Sequence, residues 1–171
     1  MNDVRLQAAG FTLLESIIVI SLLGIVGLSF AYLFSSSQRF MIQSVNFTSS
    51  QNDASFALEH VKRKLMVATG VAEPATGANG NALQFAWQEI VAGVVTDRTS
   101  RYEVNGTDLR YIPNVAAPGT FEVIARGIDT LTFNRATAGT IAVDVTAEKS
   151  TGGDTRQTRL QTRVSPRGLF Q

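Results

Sequence analysis

Polarity along the chain divides it into three stretches. Between Ser16 and Gln38 no charged side chain occurs, and Ile17, Ile18, Val19, Ile20, Leu22, Leu23, Ile25, Val26, Leu28, Phe30, Leu33 and Phe34 form a nearly unbroken apolar run. At ~1.5 Å per residue, ~20 residues cover the ~30 Å of hydrocarbon in a bilayer. The run therefore predicts a transmembrane helix over residues 11–35. Twelve such side chains at ~0.3–0.6 kcal/mol each favour insertion by about 5 kcal/mol, against ~2.5–3.5 kcal/mol for one central charge, so Glu15 at the edge does not block it. A cleaved secretory signal fits less well. Such signals have an apolar region of ~7–15 residues behind a basic start, whereas this start carries only Arg5, opposed by Asp3.

Beyond the run the apolar positions thin to a stripe. Phe40, Phe47, Ala54 and Val61 recur every seven residues with Leu58 and Leu65 between them, and no proline precedes Pro74. This spacing predicts an amphipathic continuation of the same helix over 36–69, stopping at Gly70. From Phe11 to about Thr69 its length is roughly 90 Å.

After Gly70 the pattern changes to short alternating runs. A loop over 70–80 precedes a strand over 82–87. Residues 102–104 and 108–112 flank Asn105-Gly106, a strong hairpin signal. Further strands are expected over 121–125, 130–133 and 140–146. A turn over 150–154 then leads to a last strand near 159–164. One long helix followed by about six short strands predicts an α+β fold with an antiparallel sheet that the helix covers. Residues 70–171 form the β-rich head.

Composition removes several functions. The chain of 171 residues has no cysteine, hence no disulfide, thiolate metal site or cysteine nucleophile. Fifteen basic against fourteen acidic side chains give a net charge of +1, without the bulk field of a nucleic-acid binder. No phosphate loop, HExxH or GxSxG occurs, and the acidic residues between Asp144 and Asp154 lack the spacing of an EF-hand loop. An enzyme, a cofactor and a metal are therefore not expected. His60, the only histidine, reads as surface or helix–head packing, and Lys62-Arg63-Lys64 as a solvated helix face. The last strand places Arg159 and Arg163 on one face, a possible interaction edge. No aromatic is interleaved to stack bases, which does not favour a nucleic-acid partner.

Directly before the apolar run stands Gly10-Phe11-Thr12-Leu13-Leu14-Glu15. A polar leader ending in glycine, then a large apolar residue and a carboxylate four positions on, resembles the signal of type IV pilins and type II secretion pseudopilins. That resemblance implies a leader over residues 1–10, cutting between Gly10 and Phe11 by a prepilin peptidase, N-methylation of Phe11 and polymerisation into a fibre. It also implies a single-pass subunit of the inner membrane, N-terminus cytoplasmic and head periplasmic, with other pilins or pseudopilins, an assembly platform and membrane lipid as partners. Elementary electrostatics agrees. Cutting after Gly10 would leave a cationic amine at a helix start that already presents partial positive charge. Glu15 lies one turn on, and a carboxylate at membrane depth is costly unless paired. Glu15 is thus the expected assembly residue, setting the stagger between subunits.

Many major pilins carry a proline within the apolar half; this chain has none, and Gly24 and Gly27 could either loosen the helix or serve as close-packing points. The closing Thr162-Arg163-Val164-Ser165-Pro166-Arg167 and the hairpin near Asn105 resemble the J or W type of minor subunit. Two alternatives stay open: an uncleaved membrane-anchored periplasmic binding module, and a competence-type DNA-binding pilin using Arg159 and Arg163.

Overall fold

The computed structural model describes residues 12–117, 119–137, 139–151 and 154–166. A single long helix α1, Leu13–Met66, is followed by nine strands: β1 Ala68–Glu73, β2 Asn79–Gly80, β3 Ala82–Val91, β4 Val94–Asn105, β5 Asp108–Ile112, β6 Glu122–Arg126, β7 Ile128–Thr137, β8 Thr140–Thr151 and β9 Asp154–Val164. The strands make two antiparallel sheets in place of the single sheet expected. The first has five strands in the order β1-β3-β4-β5-β6, the second four in the order β2-β7-β8-β9. The fold is α+β, an N-terminal helix packed against antiparallel sheets.

The chain divides into two compact units, Met1–Ile42 and Gln43–Gln171. In the first, the described residues from Leu13 on are helical and nearly all exposed: Leu22 at 57%, Phe30 at 70%, Leu33 at 64%. The helix runs unbroken through Gly24 and Gly27, and a Cβ at either would meet nothing within 4 Å. Neither glycine breaks α1.

In the second unit α1 buries Asn46, Ser50, Ala54, Ala57, Val61 and Leu65. The steps of three and four residues keep all six on one face. Along this face the side chains are small at Ser50, Ala54 and Ala57 and larger at Val61 and Leu65. The stripe differs from expectation at its start. Phe47 is 46% exposed and Phe40, in the first unit, also lies open, while polar Asn46 and Ser50 take the inward positions. The helix also ends earlier, at Met66, so that Thr69 and Gly70 belong to β1 and the expected loop over 70–80 contains two strands.

From the five-stranded sheet Leu83, Phe85, Tyr102, Leu109 and Tyr111 enter the core; from the other come Leu131, Phe133, Ile141, Val143 and Val145. Alternation does this. Along β8 every second residue from Ile141 to Ala147 is buried and the residues between are not. Full burial of an aliphatic or aromatic side chain of this kind contributes ~1.5–3 kcal/mol.

The chain passes between sheets at Gly127. There φ is +71° and a Cβ would stand 2.9 Å from the Glu148 carbonyl oxygen, so only glycine fits without a shift. Two backbone bonds hold the crossing: Ile128 N–H to the Thr107 carbonyl at 2.9 Å and Glu148 N–H to the Gly127 carbonyl at 2.7 Å. At the β4–β5 hairpin Asn105 still pairs with Asp108, so the two loop residues are Gly106 and Thr107. Positive φ at Gly106 alone is the II′ pattern, one residue later than an Asn-Gly type I′ turn.

Candidate functional site

Gly10 and Phe11, the expected cleavage and methylation positions, lie outside the described residues. The helix start beside them is described. Thr12 stands immediately before α1, and its Oγ1 accepts the Glu15 backbone N–H at 3.3 Å, while the Ser16 N–H reaches the Thr12 carbonyl at 3.1 Å. Thr12 is thus the N-cap, and Glu15 is the third helical residue. Thr-x-x-Glu is the capping-box spacing, a sequence signal that a reading centred on Gly10 and Glu15 passes over. Glu15 is exposed, in the first turn, where a carboxylate is favoured by the unpaired N–H groups of the helix end.

Following this start is an apolar segment. Among the described residues one helix is long and apolar enough to cross a membrane, near the N-terminus, and its most hydrophobic 18-residue window has mean hydropathy 2.5 with none of it buried within the protein. Two of its hydroxyls are satisfied within the helix. Ser21 Oγ donates to the Ile17 carbonyl at 2.8 Å and Ser29 Oγ to the Ile25 carbonyl at 2.9 Å. In hydrocarbon an unsatisfied hydroxyl costs several kcal/mol, roughly 4–8 on a cyclohexane scale, and these bonds remove that cost.

Arg159 and Arg163 both lie on the exposed face of β9, but the structure separates their roles. The Arg159 Nε sits 3.0 Å from both Asp144 carboxylate oxygens, Nη2 also contacts Oδ2, and Gln161 Nε2 donates to Oδ2 at 2.6 Å. Asp144 is on the neighbouring strand β8, opposite Gln161, with Arg159 two residues away along β9. The Arg159 hydrogen bond, aided by Gln161, holds the Asp144 carboxyl below its usual range. Arg159 is therefore a neutralised partner. Arg163, opposite Ala142, enters no ion pair among the described residues. These side chains, with Asn79, Thr132 and Asn134, line a shallow polar cleft of about 620 Å³. No cluster of three or more His, Cys, Asp or Glu able to hold a metal occurs among the described residues.

His60 is part of the helix–sheet contact. Its Nδ1 is 2.8 Å from the Tyr102 hydroxyl, and its ring meets Tyr102 edge-on at 5.9 Å and Tyr111 at 5.6 Å between centroids. Burial pushes the Tyr102 hydroxyl far up, so it stays protonated, facing Nδ1 and also reaching the His60 carbonyl at 3.5 Å. Burial first, then the Lys64 cation, lower the imidazole pKa below its ordinary value of 6.5. The basic cluster is less uniform than a solvated face. Lys62 and Arg63 pair with Glu59, but Lys64 lies over the Tyr111 and Trp87 rings at 5.2 and 5.8 Å. His60 and Lys64 share a helix face at i,i+4 and Tyr102 and Tyr111 pair across the β4–β5 hairpin; what the fold adds is the meeting of the two pairs.

Comparison with protein-family models, with curated proteins and with solved structures finds no match.

Proposed function

We propose that the chain is a minor pilin or minor pseudopilin, a structural subunit trimmed after Gly10 by a prepilin peptidase, methylated at Phe11 and assembled from the inner membrane into a type IV pilus or type II secretion pseudopilus. The observation that carries this reading is the order of features at the N-terminus. A threonine-capped helix start with Glu15 in its first turn leads straight into an apolar, unburied span and then into a helix face packed on a β-rich head. In a lone membrane anchor the carboxylate at its lip serves the helix start alone. In a subunit whose new amine must be matched by a neighbour's acid it serves assembly as well.

Two roles for Glu15 can be separated. Glutamine at this position completes a capping box as glutamate does, without the charge. Glu15→Gln is expected to leave trimming after Gly10 intact and to abolish incorporation into the fibre. The mass of the mature N-terminus and the subunit content of sheared filaments measure the two. Full incorporation of the variant would falsify the pairing role, and a mature chain still beginning at Met1 would reduce the protein to a membrane-anchored module. The competence-type reading is weakened by Asp144, because a neutralised Arg159 leaves one free arginine on that face to meet phosphate.

A further inference from the structure

Beyond Trp87 the β3–β4 hairpin leaves its sheet. Strand β1 pairs with β3 only between Ala68↔Trp87 and Glu73↔Gln84, and β5 pairs with β4 only from Arg101↔Ile112 onward. From Gln88↔Asp97 to Val91↔Val94 the ladder therefore runs on as a two-stranded arm with no described strand on either flank. At its base the Gln88 amide donates to Asp97 at 3.1 Å and Arg98 pairs with Glu89 at 3.1 Å. Its end, residues 90–95, is exposed throughout and carries no charge. Pairing puts Ile90 beside Val95 on one face and Val91 beside Val94 on the other, so the tip is apolar on both. Unpaired sheet edges are ordinarily blunted with charge. Four contiguous exposed aliphatic side chains are a patch, the kind of surface that takes part in contacts.

The same sheet carries a hole of matching character. The β5–β6 loop folds over the sheet face that points away from the core, held where the Val115 N–H bonds the Thr99 carbonyl at 2.9 Å. Between loop and sheet is a cavity of about 300 Å³ whose apolar wall is Ile112, Val115 and Phe121. Its charges cancel. Arg101 lies between Glu73 and Glu103, at 3.6 and 3.5 Å, and the second guanidinium, Arg110, stacks on the Phe121 ring at 4.4 Å. Two cations against two anions favour neither an acidic nor a basic occupant, which leaves an uncharged apolar plug. The plug has to be narrow, since ~300 Å³ is the lower end of ligand-sized pockets, and a tip of two strands ~5 Å apart is narrow. No residue of the tip lines its own chain's hole. We propose that residues 90–95 of one chain seat in the Ile112–Val115–Phe121 hole of a second copy. Tip and hole are different surfaces, so the contact runs head-to-tail and leaves a free tip and an open hole at its ends. It is separate from the Glu15 pairing and does not require trimming after Gly10.

The test uses the full chain, which has no cysteine of its own. Two differently tagged variants, Val94→Cys and Thr120→Cys at the rim of the hole, are reconstituted together in phosphatidylcholine vesicles and oxidised. A disulfide joining the two tags is expected at a yield at least tenfold above that between Val94→Cys and Thr130→Cys, an exposed position outside the hole. Adding Ile90→Thr to the first chain, which keeps β-branching and strand propensity, or Phe121→Ser to the second should cut that yield at least fivefold. A yield no higher than with Thr130→Cys overturns the proposal. A preferred disulfide between two Val94→Cys chains also overturns it, because the tips would then meet each other. So does an unchanged yield with Ile90→Thr together with a lower urea midpoint, which would make the four side chains braces of their own hairpin. The fibre reading fails by a different readout, an untrimmed N-terminus, so a methylated Phe11 without the tip-to-hole disulfide removes only the present inference.

Discussion

At the residue scale the informative contacts are polar groups inside the helix–sheet junction. Ser50 Oγ meets Thr158 Oγ1 at 2.8 Å, and both residues are buried, at 1% and 7% exposure. Removing one partner strands the other without water, which costs about 1–3 kcal/mol, while replacing both by apolar groups of similar shape is nearly neutral. Ser50→Ala should therefore destabilise the head by that amount and Ser50→Ala with Thr158→Val by much less, read from urea unfolding through Trp87, the single tryptophan. His60 adds a pH dependence. Its pKa is lowered in the folded protein by burial and by Lys64 and Arg63, with Glu122 acting the other way. As pH falls the unfolded chain takes the proton first, so stability is full above about 6.5 and declines as pH drops through the lower folded value. The urea midpoint should be lower at pH 5.5 than at pH 7.5, and His60→Gln should flatten that difference. An unchanged difference in the variant would place the titration elsewhere.

At the scale of elements, the β3–β4 hairpin is where local conformation and sequence disagree. Its ladder is continuous from Ala82↔Glu103 to Val91↔Val94, which makes Ala92 and Gly93 the two loop residues, both with positive φ, +50° and +81°. That is a type I′ geometry, and alanine is strained there where asparagine is at home. Ala92→Asn should stabilise the head by about 0.5–1 kcal/mol, seen as a higher thermal midpoint. The same hairpin shows what the sequence could and could not convey. The β4–β5 hairpin is legible because Asn105-Gly106 marks its turn, whereas Ala92-Gly93 carries a weak turn signal. Ile90, Val91, Val94 and Val95 are exposed, so no alternation announces that β3 and β4 extend so far. Apolar periodicity located the helix and the buried residues Ala54, Val61 and Leu65. It placed Phe40 and Phe47 on the inward stripe because hydrophobicity cannot tell a face covered by the head from one left open. The arginine face of β9 followed from alternation. Its neutralisation by Asp144 did not, since fifteen residues separate the pair and only the β8–β9 register joins them.

For the whole molecule, the division at Gln43 makes a claim about independent folding. Among the described residues every buried core side chain lies in Gln43–Gln171, and the first buried helix residue is Asn46. The apolar span contributes nothing to that core, since none of its most hydrophobic window is buried. A fragment beginning at Gln43 should then be soluble, with a cooperative thermal transition and the same Trp87 emission as the full chain. A fragment beginning at Glu59 keeps Val61 and Leu65 but loses Ser50, Ala54 and Ala57. It strands the Thr158 hydroxyl, and the head loses most of the helix face packed on it. Without that layer an antiparallel sheet retains one apolar face in water, so the second fragment should show no cooperative transition and should bind a hydrophobic dye. If both fragments melt alike, the helix past Gln43 is not part of the head's core, and the packing of Ser50 against Thr158 has no structural weight.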